Sequence, residues 1–273
     1  MDVGRTGTKA VIPRLFHRLC DDAALFPPGN APIDLALPQH LSYRTSAFAD
    51  LVGPFVFPIP RLAELTAIPA QLDLSLTAPG GPASVEAGLA AAQAIPGVTV
   101  VAVEVAMPEG TDLTALATVA PDIDIYVEIP RDQRREVLLD LVSERGYRAK
   151  FRTGGITADL YPDEAELAAA ISQAARREVP FKATAGLHHA VRHTDPDNGL
   201  EQHGYLNVLL AGQAAHSGAR ETELETILAI REPAVITRLV AAIETERAFL
   251  SFGTCSVREP LDDLISLGLI PAQ

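Results

Sequence analysis

The segment DIDIYVEI, residues 122–129, sets Ile123, Ile125, Val127 and Ile129 in strict alternation with Asp122, Asp124, Tyr126 and Glu128. Side chains along a strand point alternately to opposite faces, so this segment has one apolar and one polar face. The same pattern recurs. QLDLSLT (71–77) puts Leu72, Leu74 and Leu76 opposite Asp73 and Ser75. RAKFRTG (148–154) sets Arg148, Lys150 and Arg152 against Ala149, Phe151 and Thr153. FKATAGLH (181–188) sets Lys182, Thr184, Gly186 and His188 against Phe181, Ala183, Ala185 and Leu187. A strand covered by helices on both sides would be apolar throughout. One apolar face under a helix and one polar face elsewhere fits a closed barrel whose interior carries a site.

Working outward, seven strands are legible: 53–58, 71–77, 98–106, 123–129, 147–153, 180–186 and 248–254. Between them lie the helical stretches RLAELTAI, PASVEAGLAAAQAI, TDLTALATVA, RDQRREVLLDLVSERG and PDEAELAAAISQAARREV. Several open with Pro, Asp or Thr, residues suited to helix starts. Up to the sixth of these, strand centres recur every 20 to 32 residues or so, the size of a βα unit. The expectation is an α/β fold, a (β/α)8-type (TIM-like) barrel over residues 51–273, with residues 1–50 as an N-terminal cap or lid. The eighth strand is uncertain. NVLLAG (207–212) is a candidate, but it could equally continue a helix begun near Tyr205.

Composition narrows the partners. The chain of 273 residues is 48% hydrophobic and 21% charged, enough apolar material for a sizeable core. Its net charge is −13, from 22 basic and 35 acidic residues. Phosphate backbones and anionic lipid would repel such a chain, so the expected partner is a small molecule, with neither nucleic acid nor membrane. A homo-oligomer remains possible. Cys20 and Cys255 form neither a disulfide framework nor a CxxC pair, which suits a reducing cytoplasm. The first residues lack the apolar run of a signal peptide, and no stretch of about 18 apolar residues occurs.

The inward faces collect Asp73, Ser75, Glu104, Tyr126, Glu128, Lys150, Arg152, Lys182, Thr184 and Ser251. Burying one unpaired charge costs several kcal/mol, so these residues make sense only together. A buried salt-bridge layer without chemistry is the plainer reading for any one of them. Two inward lysines on neighbouring strands point further, because a lysine whose pKa is lowered by burial or a neighbouring cation is a nucleophile toward carbonyls. Lys150, Lys182, Glu104, Glu128 and His188 are therefore the catalytic candidates. Asp73, Arg152, Thr184, Gly154, Gly155, Gly186 and His203 are candidates for substrate contact.

KFRTGG (150–155), followed by KATAGLHHAVR (182–192), resembles class I aldolases of the deoxyribose-phosphate aldolase type. In that family a Lys-x-x-Thr-Gly strand supplies the Schiff-base lysine, and the next strand supplies a second lysine that perturbs it. The resemblance implies that Lys150 is the Schiff-base residue, with Thr153 and Gly154 in motif positions, and that Lys182 is its perturbing neighbour. It also implies phosphate binding at Gly154, Gly155 and Gly186, with no cofactor. Arg152 departs from the motif, which has a small residue there. The second motif ends in two histidines where the family has a glycine, and no single position matches the family's proton-relay aspartate.

His188, His189, His193 and His203 allow three readings: a metal site with Glu104 or Glu128, a general acid or base beside the lysines, or solvated loop around the turn TDPDNG. GLHHAVRH lacks an HxH or HExxH pattern, so no metal is assigned. Asp21 and Asp22, before ALFPPGN, read as a cap and turn or as a closure over the site. The leading functional expectation is a lyase or aldolase acting on a small, anionic carbonyl compound. The alternatives are a metal-dependent barrel hydrolase or lyase, and a non-catalytic protein that binds an anionic metabolite.

Overall fold

The computed structural model describes residues 11–66, 68, 70–243 and 247–272. Eight parallel strands close into a barrel: β1 (Cys20–Asp22), β2 (Val52–Pro58), β3 (Leu72–Ala78), β4 (Val98–Val105), β5 (Asp124–Glu128), β6 (Arg148–Arg152), β7 (Phe181–Thr184) and β10 (Phe249–Thr254). They follow one another round the barrel in chain order, and β10 returns to pair with β1. A short antiparallel ribbon, β8 (His193–Thr194) with β9 (Glu201–Gln202), stands apart in the polar loop after β7.

The expected (β/α)8-type barrel is the observed fold, with two corrections. The missing strand is Cys20–Asp22, inside the segment expected to be a cap. NVLLAG instead lies within α5 (Tyr205–His216), a helix buried around most of its circumference and so apolar on nearly every side. Helices α1 (Ile33–Thr45), α2 (Val85–Gln93), α3 (Arg135–Glu144), α4 (Glu164–Arg176), α6 (Glu221–Leu228), α7 (Pro233–Ala241) and α8 (Arg258–Ser266) accompany it. Two expected helices are shorter: RLAELTAI and TDLTALATVA contribute only the 3-10 turns Ile59–Glu64 and Thr114–Thr118. Asp163 starts α4 by accepting a hydrogen bond from the Glu166 N–H at 2.8 Å.

The core lies between strands and helices. The outward leucines of β3, Leu72, Leu74 and Leu76, are fully buried there. Phe181, Phe249, Phe252 and Tyr205 form a chain of ring contacts beneath α5. No helix among the described residues is long and apolar enough to cross a membrane.

Candidate active site

The inward residues of the barrel stack in register. Glu128 pairs with Lys150, Lys150 with Lys182, and Arg152 with Thr184 across neighbouring strands. Glu104 reaches the two lysines from β4, two strands from β6 and three from β7. Its Oε1 accepts from Lys182 Nζ at 2.6 Å, and its Oε2 lies 2.9 Å from Lys150 Nζ. One buried carboxylate therefore bridges two ammonium groups through separate oxygens.

Lys182 lies deepest, at 1% exposure. Its second partner is Asp21 Oδ2 at 2.6 Å, and the same oxygen accepts from Ser251 Oγ at 2.7 Å. The Lys182 ammonium also stands over the Tyr126 ring, 5.1 Å from its centroid. Ser75 Oγ completes Glu104 by donating to Oε1 at 2.7 Å. Gly53 on β2 makes room for this arrangement: a Cβ there would lie 2.0 Å from Asp21 Oδ1.

Lys150 is the less buried of the two lysines. Glu128 Oε2 stands 3.1 Å from its ammonium, and Glu128 Oε1 accepts from Arg152 at 3.0 and 3.1 Å. Three carboxylates, Asp21, Glu104 and Glu128, thus face three cations, Lys150, Arg152 and Lys182. Opposed charges at these distances offset the desolvation that each would suffer alone.

The electrostatics depart from expectation in one respect. A depressed lysine pKa was expected, yet both ammonium groups are held above the ordinary lysine value. Burial pushes Lys182 down, but Asp21 and Glu104 outweigh it. Burial likewise pushes Lys150 down, and Glu104 with Glu128 reverses the sign. Glu104 is raised by burial but driven far below the carboxylate range by Lys182 and Lys150. Burial wins at Asp21, which is raised despite Lys182. The resting cluster is a closed charge network with both lysines protonated.

The strand-end turns are set by contact between glycines. A Cβ on Gly154 would lie 2.7 Å from Gly186 Cα, and Gly186 itself has φ +72°. Thr153 Oγ1 donates to the Ala185 carbonyl at 2.6 Å and ties the same two turns together. Gly155 faces Leu160, and its carbonyl accepts from Tyr161 OH at 2.9 Å. Gly154→Ala is therefore expected to lower stability by about 1–3 kcal/mol, because backbone and not a flexible side chain must give way. Urea unfolding measures it, and an unchanged midpoint would show that the turns part without cost.

Other expected residues lie elsewhere. Asp73 shares the inward face of β3 but sits near its N-terminal end, 3.7 Å from Arg18 and 3.6 Å from Arg44, away from the lysines. His188 pairs with Glu259 at 3.1 Å and lies 3.9 Å from Cys255 Sγ, and these partners push its pKa up to about 10. His203 is buried, pushed down to about 4 by that burial, and bonded to the Pro162 carbonyl and Arg192. His189 pairs with Asp263. The set Glu104, Glu128, His188 and His203 is thus not assembled. Among the described residues no group of three or more His, Cys, Asp or Glu side chains is placed to hold a metal ion.

Asp21 is the site residue that sequence reasoning read differently, as cap or closure. Its signal was the spacing: Cys20 pairs with Val52, 32 residues on, one βα unit away. Asp22 points the other way, to His40 of α1 at 3.1 Å, which anchors β1 against its helix. Compared with known proteins, the chain matches no family model and no curated protein.

Proposed function

We propose that the protein is an aldolase-type lyase that acts on a small anionic carbonyl compound through a Schiff base on Lys150. The observation that carries this reading is the bridge of Glu104 between two ammonium groups, one of which is less buried and borders partly exposed side chains. The Lys150 side chain is 7% exposed and adjoins the half-open Arg152 and Glu128, whereas Lys182 is sealed at 1%. Lys182 keeps its charge between two carboxylates and stands as the permanent cation beside Lys150.

Each residue then has a distinct task. Lys150 gives one proton to a neighbouring carboxylate and attacks the carbonyl carbon; the N–C bond forms as the C=O π pair moves to oxygen, and a second proton passes from the nitrogen to that oxygen to make the hydroxyl. The carboxylate returns the proton to the departing hydroxyl, leaving an iminium ion and water. That iminium withdraws electrons from the adjacent carbon, where a carbon–carbon bond is broken or made. Glu104 stays ionised because Lys182 remains beside it, and it holds both nitrogens in place. The resemblance to deoxyribose-phosphate aldolases assigns the two lysines the same roles.

A resting site with both lysines protonated also suits an anion-binding protein without turnover, and reductive trapping separates the two. Incubation with pyruvate and cyanoborohydride should add one reduced adduct per chain to the intact mass. Lys150→Met should abolish it. An adduct that forms equally in that variant would remove Lys150 from the role, and no adduct with the wild-type chain would favour the binding reading.

A further inference from the structure

Arg152 departs from the aldolase-like motif by placing a charge beside the candidate nucleophile. Lys150 and Arg152 project from the same face of β6, two residues and so about 6.6 Å apart along the strand. Glu128 spans them, one oxygen on each. The charged groups facing Lys150 are Glu104 from β4, Glu128 from β5, Lys182 from β7 and Arg152 from its own strand. Asp21 of β1 is engaged by Lys182.

We propose that Arg152 makes the site selective for short 2-oxo and 3-oxo carboxylic acids, because a substrate carboxylate draws Arg152 away from Glu128 and the released Glu128 takes the proton of Lys150. This rests on the Schiff-base reading. Lys150 and Arg152 touch the two oxygens of the single Glu128 carboxylate, a short span that points to a short acid. With its carbonyl carbon at Lys150 Nζ, the carboxylate of such an acid begins one or two bonds away. Adding a charge-assisted hydrogen bond of about 2.8 Å reaches Arg152. An anion several carbons further along a chain would overshoot it. A guanidinium also matches the planar carboxylate with two parallel donors.

The electrostatics give the trigger its sign. Burial raises the Glu128 pKa, but Lys150 and Arg152 together hold it below the ordinary value. Removing one of those two cations raises its proton affinity, and the nearest proton is on Lys150 at 3.1 Å. Glu104 cannot respond in the same way, since Lys182 stays bound to it at 2.6 Å. The proton that Glu128 accepts is later returned to the hydroxyl that leaves as water, so the sum is ammonium plus carbonyl giving iminium plus water.

The test compares pyruvate with methyl pyruvate, which keeps the carbonyl but lacks the negative charge, under cyanoborohydride at pH 7.5. Wild-type protein should trap pyruvate at least about tenfold faster, the worth of one charge-assisted hydrogen bond. In Arg152→Gln the ratio should fall toward one. Methyl pyruvate should then react faster than with wild type, because Glu128 has lost a competing cation. Arg152→Lys should restore part of the preference, as a point charge without the planar fork. Adducts on Lys150 with no preference for the anion, or a preference that survives in Arg152→Gln, would overturn the role of Arg152 and leave the Schiff base standing. No adduct with either compound in any variant would overturn the Schiff base itself.

Discussion

Lys182→Met is expected to lower folding stability by about 3–5 kcal/mol at pH 7.5, the usual result of removing one partner from a buried ion pair. The variant leaves Asp21 and Glu104 facing each other in the barrel, both buried, without the ammonium that each contacts at 2.6 Å. The pH dependence should then invert. In the wild-type chain the Glu104 pKa is depressed, so its contribution is present at neutral pH and is lost only as pH falls through that low value. In the variant Glu104 keeps Lys150 at 2.9 Å, but Asp21, already raised by burial, loses the Lys182 ammonium that opposed that burial and rises further above its unfolded value. The folded state then takes up protons first, and the deficit shrinks as pH falls from 7.5 toward 5. Urea unfolding at the two pH values measures the effect. A deficit that stays constant or widens on acidification would show that Lys182 acts by packing and not by charge.

Glu104→Gln should have the second large effect, on both stability and reactivity. It removes one of the two carboxylates that hold Lys150 above the ordinary lysine value, leaving Glu128, while Lys182 remains charged nearby. Lys150 should therefore lose its proton more easily. The pH midpoint for trapping at Lys150 should move down by more than about one unit, each unit corresponding to about 1.4 kcal/mol. Stability should fall at the same time by about 3 kcal/mol, since two ammonium groups lose a shared partner. Trapping rates against pH in wild type and variant, with each sample's folded fraction taken from circular dichroism, separate the two effects. An unchanged midpoint would detach Glu104 from control of Lys150.

The alternation in DIDIYVEI, QLDLSLT, RAKFRTG and FKATAGLH carried the fold, because a period of two registers face directly. It also brought together Glu128, Lys150 and Lys182, which Glu104 joined as the one charge in the apolar run VTVVAVEVA, and the barrel places all four around one charge network. It could not register depth. Asp73 and Ser75 share a face, yet the two-residue step between them separates a residue at the N-terminal mouth from one that touches Glu104. β1 escaped notice because a strand of three residues has no period to detect, and the following ALFPPGN favours a turn. Asp21 was lost with it. NVLLAG misled for the opposite reason: a helix buried on nearly all sides is as apolar as a buried strand. The histidine-rich tail after β7 drew attention by composition, but its rings pair with Glu259, Asp263 and Arg192.

The most direct measurement is the position of the reduced adduct. Trypsin does not cut after an alkylated lysine, so an adduct on Lys150 yields the uncut peptide Ala149–Arg152 with added mass. An adduct on Lys182 yields the modified peptide Glu178–Arg192 instead. Peptide mapping after treatment with pyruvate and cyanoborohydride should place the mass in Ala149–Arg152. Added mass confined to Glu178–Arg192, or absent from both peptides, would contradict Lys150 as the nucleophile.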